Sequence, residues 1–175
     1  MRLEGKRVVV LAENMYQDLE LWYPVIRMRE EGAQVSIVGT GSSDTYTSEH
    51  GYPVRVAVAA DNVEAANLDA VIIPGGYAPD RLRRYPSVLK LVKETVDQGK
   101  VVAAICHAGW VLVSAGVLKG RTVTCVSAIK DDIINAGATY VDQEVVRDGT
   151  LITSRTPLDL PAFCKEIIAA LEGAG

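Results

Sequence analysis

Three runs in this chain are too continuously apolar to belong to a sheet with one wet face. They read Arg-Val-Val-Val-Leu-Ala at residues 7–12, Leu-Asp-Ala-Val-Ile-Ile-Pro at 68–74 and Val-Val-Ala-Ala-Ile at 101–105. A half-exposed strand alternates polar and apolar residues, whereas a strand covered on both faces does not. Stretches of helical length lie between and beyond them. Residues 17–31 offer Leu19, Trp22, Tyr23, Ile26 and Met28 as an approximate apolar face, with Gly32 as a stop and Pro24 marking a first turn or a kink. Residues 87–98 place Val88, Leu91, Val92 and Val96 on one face behind a Ser87 N-cap. Further helices are expected over 107–115, 128–136 and 157–171. Additional strands are expected over 34–39, 52–59 and 122–126, with a hairpin formed by 141–146 and 151–154 around Asp148-Gly149. Residues 41–47 read as a polar turn region and 77–86 as a surface loop or short helix. Strands alternating with helices predict an α/β fold, a mostly parallel sheet with helices on both faces, in one domain spanning 1–175.

Composition narrows the function. With 18 basic and 22 acidic residues the net charge is −4, and both signs are mixed along the chain. No basic stripe points to nucleic acid, and no polybasic cluster points to a membrane surface. The N-terminus enters a short strand rather than a signal or spanning segment, which makes the cytoplasm the expected location. Cys106, Cys125 and Cys164 form an odd set without Cys-x-x-Cys spacing, as expected of reduced thiols rather than a disulfide framework. Nothing here asks for a metal or a cofactor.

Residues 101–112 carry the chemistry. An apolar run ends at Cys106, small residues stand two positions either side (Ala104, Ala108), and a helix-compatible stretch follows. That is the pattern of a nucleophile elbow, a sharp strand-to-helix turn that exposes the central side chain. A helix N-terminus beyond it favours thiolate over thiol. The alternative is a packed thiol acting as a small hydrophobe. In a parallel sheet the site lies beyond the carboxyl ends of the strands, and residues 12–17, Gly75-Gly76 and Cys106 all fall there. This convergence makes Cys106 a candidate nucleophile.

Several blocks together resemble the DJ-1/PfpI family of the class I glutamine amidotransferase-like fold. They are Asp-Leu-Glu-Leu at 18–21, Pro-Gly-Gly-Tyr-Ala-Pro-Asp at 74–80, Ala-Ile-Cys-His-Ala-Gly at 104–109, Ile-Lys-Asp-Asp-Ile-Ile-Asn-Ala-Gly at 129–137 and the segment 145–157. They run in order over nearly the whole chain. His107, directly after the cysteine, resembles the intracellular protease I branch. The resemblance implies a three-layer flavodoxin-like sandwich with Cys106 as nucleophile. It also implies a buried, protonated Glu20 donating to the sulfur, where the residues alone suggest a solvated helix glutamate. His107 would be the base, and Asp80, from a neighbouring subunit, would orient it. The protease I pattern has Glu at that position, one methylene longer. The implied assembly is a homo-oligomer, dimer or hexamer. The backbone N–H groups of Gly76 and His107 would hold an oxyanion, although Gly75-Gly76 alone could be a simple turn. Tyr16 and Trp110 are candidate pocket residues, and His50 reads as a surface histidine.

Glutamine amidotransfer needs a distal His-x-Glu, and no histidine follows His107. The resemblance leaves a small-molecule electrophile or a peptide as substrate: glyoxalase III or deglycase chemistry on reactive carbonyls, or cysteine peptidase activity. The alternatives are a redox sensor or chaperone-like protein in which Cys106 is oxidised, and an interaction protein with a vestigial site.

Overall fold

The computed structural model describes residues 1–173. Its strands are β1 (Arg7–Leu11), β2 (Gln34–Gly39), β3 (Thr45–Thr47), β4 (Pro53–Arg55), β5 (Val58–Ala59), β6 (Ala70–Ile73), β7 (Val101–Ile105), β8 (Thr122–Val123), β9 (Thr139–Tyr140), β10 (Val145–Asp148) and β11 (Leu151–Ser154). Its helices are α1 (Asp18–Glu30), α2 (Ala78–Leu82), α3 (Pro86–Asp97), α4 (Gly109–Ala115), α5 (Lys130–Asn135) and α6 (Leu160–Glu172).

Seven strands form one sheet in the order β10-β11-β7-β6-β1-β2-β5, parallel except for β10, which pairs antiparallel with β11 as the hairpin signal predicts. Helices α1 and α6 cover one face, and α3 and α4 the other. The fold is the expected α/β sandwich. Every residue of β6 and β7 is buried, which is why these runs carry no alternation. From β1 the chain adds β2 and β5 on one side, then crosses to β6, β7 and β11 on the other. The switch point therefore lies between β1 and β6, where a doubly wound sheet opens a crevice beyond its strand ends. Among the described residues no helix is long and apolar enough to cross a membrane.

Several elements depart from the sequence reading. The apolar face expected of α1 is largely its outer face: Leu19 and Ile26 are 57% and 62% exposed, while Leu21, Pro24, Val25 and Met28 are buried together with Glu20. Apolar residues occur on both sides of this helix, and the sheet takes the side that also carries Glu20. The expected strand 52–59 is two strands. Its first half pairs antiparallel with β3, inside the expected turn region, and its end joins β2 at the edge of the main sheet. The 122–126 strand is only two residues long and pairs parallel with β9, outside the main sheet. The 77–86 segment contains α2, whose Ala78, Pro79 and Leu82 are buried against α4.

The β3–β4 hairpin docks through Tyr46. Its ring lies so close to β2 that a Cβ on Gly39 would stand 2.6 Å from Tyr46 Cε2. Its hydroxyl lies 3.1 Å from Thr40 Oγ1 and 3.2 Å from Ser42 Oγ, and the Ser42 hydroxyl donates to the buried Glu13 at 3.0 Å. This polar knot ties the ends of β1 and β2 to the hairpin. Gly39→Ala should push the ring out of register and lower stability by about 1–3 kcal/mol, the range for overpacking a tight contact. Urea denaturation would show it as a lower midpoint with an unchanged slope.

Candidate active site

At the end of β7 the chain turns sharply. Cys106 has φ +63°, a left-handed conformation that an ordinary side chain adopts only when its surroundings enforce it. A single 3₁₀ turn over Cys106–Ala108 follows, and α4 starts at Gly109 rather than at His107. α5 presses against this turn, since a Cβ on Gly109 would lie 2.8 Å from Ile133 Cδ1. The elbow expected from the sequence is present, with Cys106 partly exposed at its apex.

The loop after β6 passes directly beside the elbow. A Cβ on Gly75 would lie 2.4 Å from Glu20 Oε2 and 2.7 Å from Cys106 Cβ, so only glycine fits between them. Gly76, at φ +74°, is bridged antiparallel to Tyr16, and a Cβ there would come within 2.5 Å of both Gln17 N and Met15 O. The two glycines let the loop lie against the N-terminus of α1. The Gly76 and His107 N–H groups both face the Cys106 sulfur.

Glu20 stands in the first turn of α1. Its N–H donates to Gln17 Oε1 at 2.9 Å, while the Gln17 N–H donates to Gly75 O at 3.2 Å. A glutamate at this helical position commonly turns back to cap the helix; here it turns inward instead. Its side chain is wholly buried, Oε2 accepts the Gly75 N–H at 2.8 Å, and Oε1 has no hydrogen-bond partner. Burial pushes its pKa up to about 8; the Gly75 N–H opposes this, the Glu49 charge adds to it, and the Cys106 side chain opposes it. Near neutral pH Glu20 therefore holds its proton.

Burial also pushes the Cys106 thiol up, to about 12, reinforced by charge on Glu20 and opposed by the two N–H groups. This differs from the low thiol pKa expected of a helix N-terminus. The cause is desolvation beside a second acid, which outweighs a short helix. The two groups are coupled: a protonated Glu20 removes the repulsion and supplies a donor, so the site accommodates one negative charge and not two.

His107 Nδ1 lies 3.3 Å from Cys106 Sγ. Burial lowers the imidazole pKa, against an upward pull from Glu49, which leaves the ring neutral near pH 7. Trp110 packs on this ring at 5.1 Å, donates its indole N–H to Asp132 at 2.9 Å, and carries the Arg83 guanidinium 5.6 Å above its own face. Trp110 is thus a wall of the site. Tyr16 is not: its ring is fully buried and its hydroxyl donates to Tyr52 O at 2.6 Å, so it serves the site through its backbone bridge to Gly76. Asp80 lies in α2 with its carboxylate on Arg84, in the turn that follows the helix. His50 is exposed and paired with Asp18 at 2.8 Å, which raises its pKa. Glu49, beside Gly76, carries no sequence signal; long-range pairing of the β3–β4 hairpin brings it there.

An α/β sandwich with a strained cysteine elbow beside a buried acid defines the class of the protein. The sequence pattern of the DJ-1/PfpI family matches residues 6–170. Over 166 residues the chain is 43% identical to the deglycase PYRAB04690 of Pyrococcus abyssi, covering 95% of this chain and 99% of that one. It is 39% identical to protein/nucleic acid deglycase 2 of Escherichia coli, over 95% of this chain and 98% of that protein. A two-domain Anabaena variabilis crystal structure, with DJ-1/ThiJ/PfpI-like and ferritin-like domains, superposes with a TM-score of 0.94 at 38% identity; the match covers 97% of this chain and 50% of that one. The chain belongs to the DJ-1/PfpI family.

Two outcomes follow from this geometry. Gly75→Ala should lower stability by about 1–3 kcal/mol or more and slow iodoacetamide labelling of Cys106, because the added carbon separates Glu20 from the sulfur. For Glu20, a folded-state pKa near 8 against an ordinary 4.5 means the folded protein holds more protons between these values. Stability is then greatest below about pH 4.5 and falls as pH rises towards 8. Glu20→Gln should flatten that slope and exceed the wild type at pH 8 by roughly 3–5 kcal/mol. Denaturant titrations at several pH values would show it.

Proposed function

We propose that this protein is a cysteine-dependent enzyme acting on reactive carbonyls and their amine adducts, a deglycase that also converts free α-oxoaldehydes and water to 2-hydroxy acids. The carrying observation is the setting of Cys106 Sγ among a protonated Glu20, two backbone N–H groups and the His107 imidazole nitrogen at 3.3 Å. Deglycase names on close relatives support the same reading.

With a methylglyoxal adduct of an amine, Cys106 sulfur forms a bond to the aldehyde-derived carbon as its C–N bond breaks. The thiol proton passes through His107 to the departing amine. With the free oxoaldehyde, sulfur adds to the carbonyl carbon and the proton goes to oxygen, with the Gly76 and His107 N–H groups stabilising the oxyanion. Both routes reach one hemithioacetal. His107 then takes the proton from the sulfur-bearing carbon and returns it to the neighbouring carbonyl carbon, while the hydroxyl proton passes to the neighbouring oxygen, giving a thioester of lactate. Water hydrolyses the thioester, releasing lactate and regenerating the thiol. A neutral imidazole suits both proton transfers.

Asp80 has a place in this scheme if a second copy of the chain brings it to His107, which requires it to leave Arg84 and makes the active form a dimer or hexamer. Asp80→Asn should then lower kcat by at least about tenfold, the low end of what positioning a general base contributes, without changing the oligomer seen by light scattering. Purified wild type and Cys106→Ala should be assayed with methylglyoxal and with a fluorogenic peptide. Loss of methylglyoxal turnover in the variant supports the proposal. Turnover of the peptide alone assigns a peptidase, and equal rates of the two proteins on both substrates remove catalysis and leave the redox alternative.

A further inference from the structure

One charged group beside the sulfur has no task in that chemistry. Glu49 sits in the turn joining β3 to β4, and its backbone is firmly held. Its N–H donates to Tyr16 O at 2.9 Å, while Ser48 Oγ donates to Asp18 at 2.6 Å and accepts the N–H groups of His50 and Tyr52 at 3.2 and 2.9 Å. The carboxylate reaches towards Gly76: Oε1 lies 2.9 Å from the position a Gly76 Cβ would take, on the residue whose N–H faces the sulfur. A side chain at position 76 would displace it. Glu49 is exposed, and among the described residues no hydrogen bond or ion pair engages its carboxylate.

The groups near the other wall do not offset this charge. Arg83 donates to Ser114 at 2.9 Å and lies over Trp110, and Asp132 accepts the Trp110 N–H, so that wall carries one charge of each sign. Arg84, in the turn after α2, is engaged by Asp80. An incoming molecule therefore meets Cys106 under the field of an unpaired carboxylate carried on a held backbone.

We propose that Glu49 sorts electrophiles by charge, admitting neutral and cationic carbonyl compounds to Cys106 and holding back those that carry a carboxylate or phosphate near the reacting carbon. As a statement about substrates this rests on the carbonyl reading above; as a statement about the thiol it stands apart from it. The physical basis is simple repulsion between like charges a few ångströms apart in a half-solvated crevice, on the order of three- to tenfold in rate for a single charge. Glyoxalase-type turnover would then favour methylglyoxal over an oxoaldehyde ending in a carboxylate, although the reacting head group is identical.

The test separates the two statements. Second-order labelling of Cys106 by iodoacetamide and by iodoacetate is measured at low salt, with Cys106→Ala as blank. In both reagents sulfur displaces iodide; only the reagent charge differs. The ratio of amide to acetate rates should fall about three- to tenfold from wild type to Glu49→Gln, and further in Glu49→Lys. In about 1 M salt, where screening acts over about 3 Å, the wild-type ratio should approach that of Glu49→Gln. The ratio cancels any change in intrinsic thiol reactivity, which a merely structural effect of the substitution would alter for both reagents alike. The same ratio is then read as kcat/KM for methylglyoxal and for 4,5-dioxovalerate. Equal labelling ratios in wild type and both variants, with all three proteins melting alike, would overturn the proposal. A labelling ratio that shifts in a protein with no turnover of either oxoaldehyde upholds the charge sorting and refutes the carbonyl function.

Discussion

The hydrogen bond from the Gly75 N–H to Glu20 Oε2, made inside the protein where no water competes, holds three separate parts of the chain in one arrangement. It joins the end of β6 to the first turn of α1, and the same glycine has room for nothing larger than hydrogen between the carboxyl and the Cβ of Cys106. A buried carboxyl with one satisfied oxygen and one unsatisfied oxygen is costly as an anion. The cost is lowered by keeping the proton, and that proton is then available to the neighbouring sulfur. The arrangement is thus more than packing: it keeps both acids protonated near neutral pH.

This changes how the Cys106 thiol is understood. A helix N-terminus would by itself make Cys106 a more acidic thiol, but α4 is short and begins one 3₁₀ turn later, and the sulfur is largely desolvated. Two backbone N–H groups facing the sulfur, and the absence of charge on a protonated Glu20, oppose the resulting rise in its pKa without reversing it. His107 beside it is kept neutral by burial, the state a base requires. Glu49, outside the buried pair, adds a negative field that raises the pKa of all three groups.

Much of this architecture was legible in the residues. The unbroken apolar runs of β6 and β7 announced strands covered on both faces, and Cys106 between Ala104 and Ala108 announced the elbow. Glu20 was not legible by periodicity, because a glutamate in the first turn of a helix is ordinarily solvated; only family resemblance turned it inward. The face of α1 was misread for a related reason. Leu19, Trp22, Tyr23 and Ile26 make as good an apolar stripe as the one that is buried, and the choice between them depends on the sheet, not on the helix. The strand expected over 52–59 failed because one segment serves two partners, β3 and then β2, and alternation cannot show a change of partner.

The linear sequence determined the α/β class, the parallel sheet, the elbow and the thiol that stands at its apex, because each depends on local steric fit or on burial of contiguous apolar residues. Only the tertiary structure decided which groups surround that thiol. The inward turn of Glu20, the placement of the Glu49 backbone beside Tyr16 and the hydrogen bond from Trp110 to Asp132 all depend on contacts between residues far apart in the chain, whose energies no local pattern encodes.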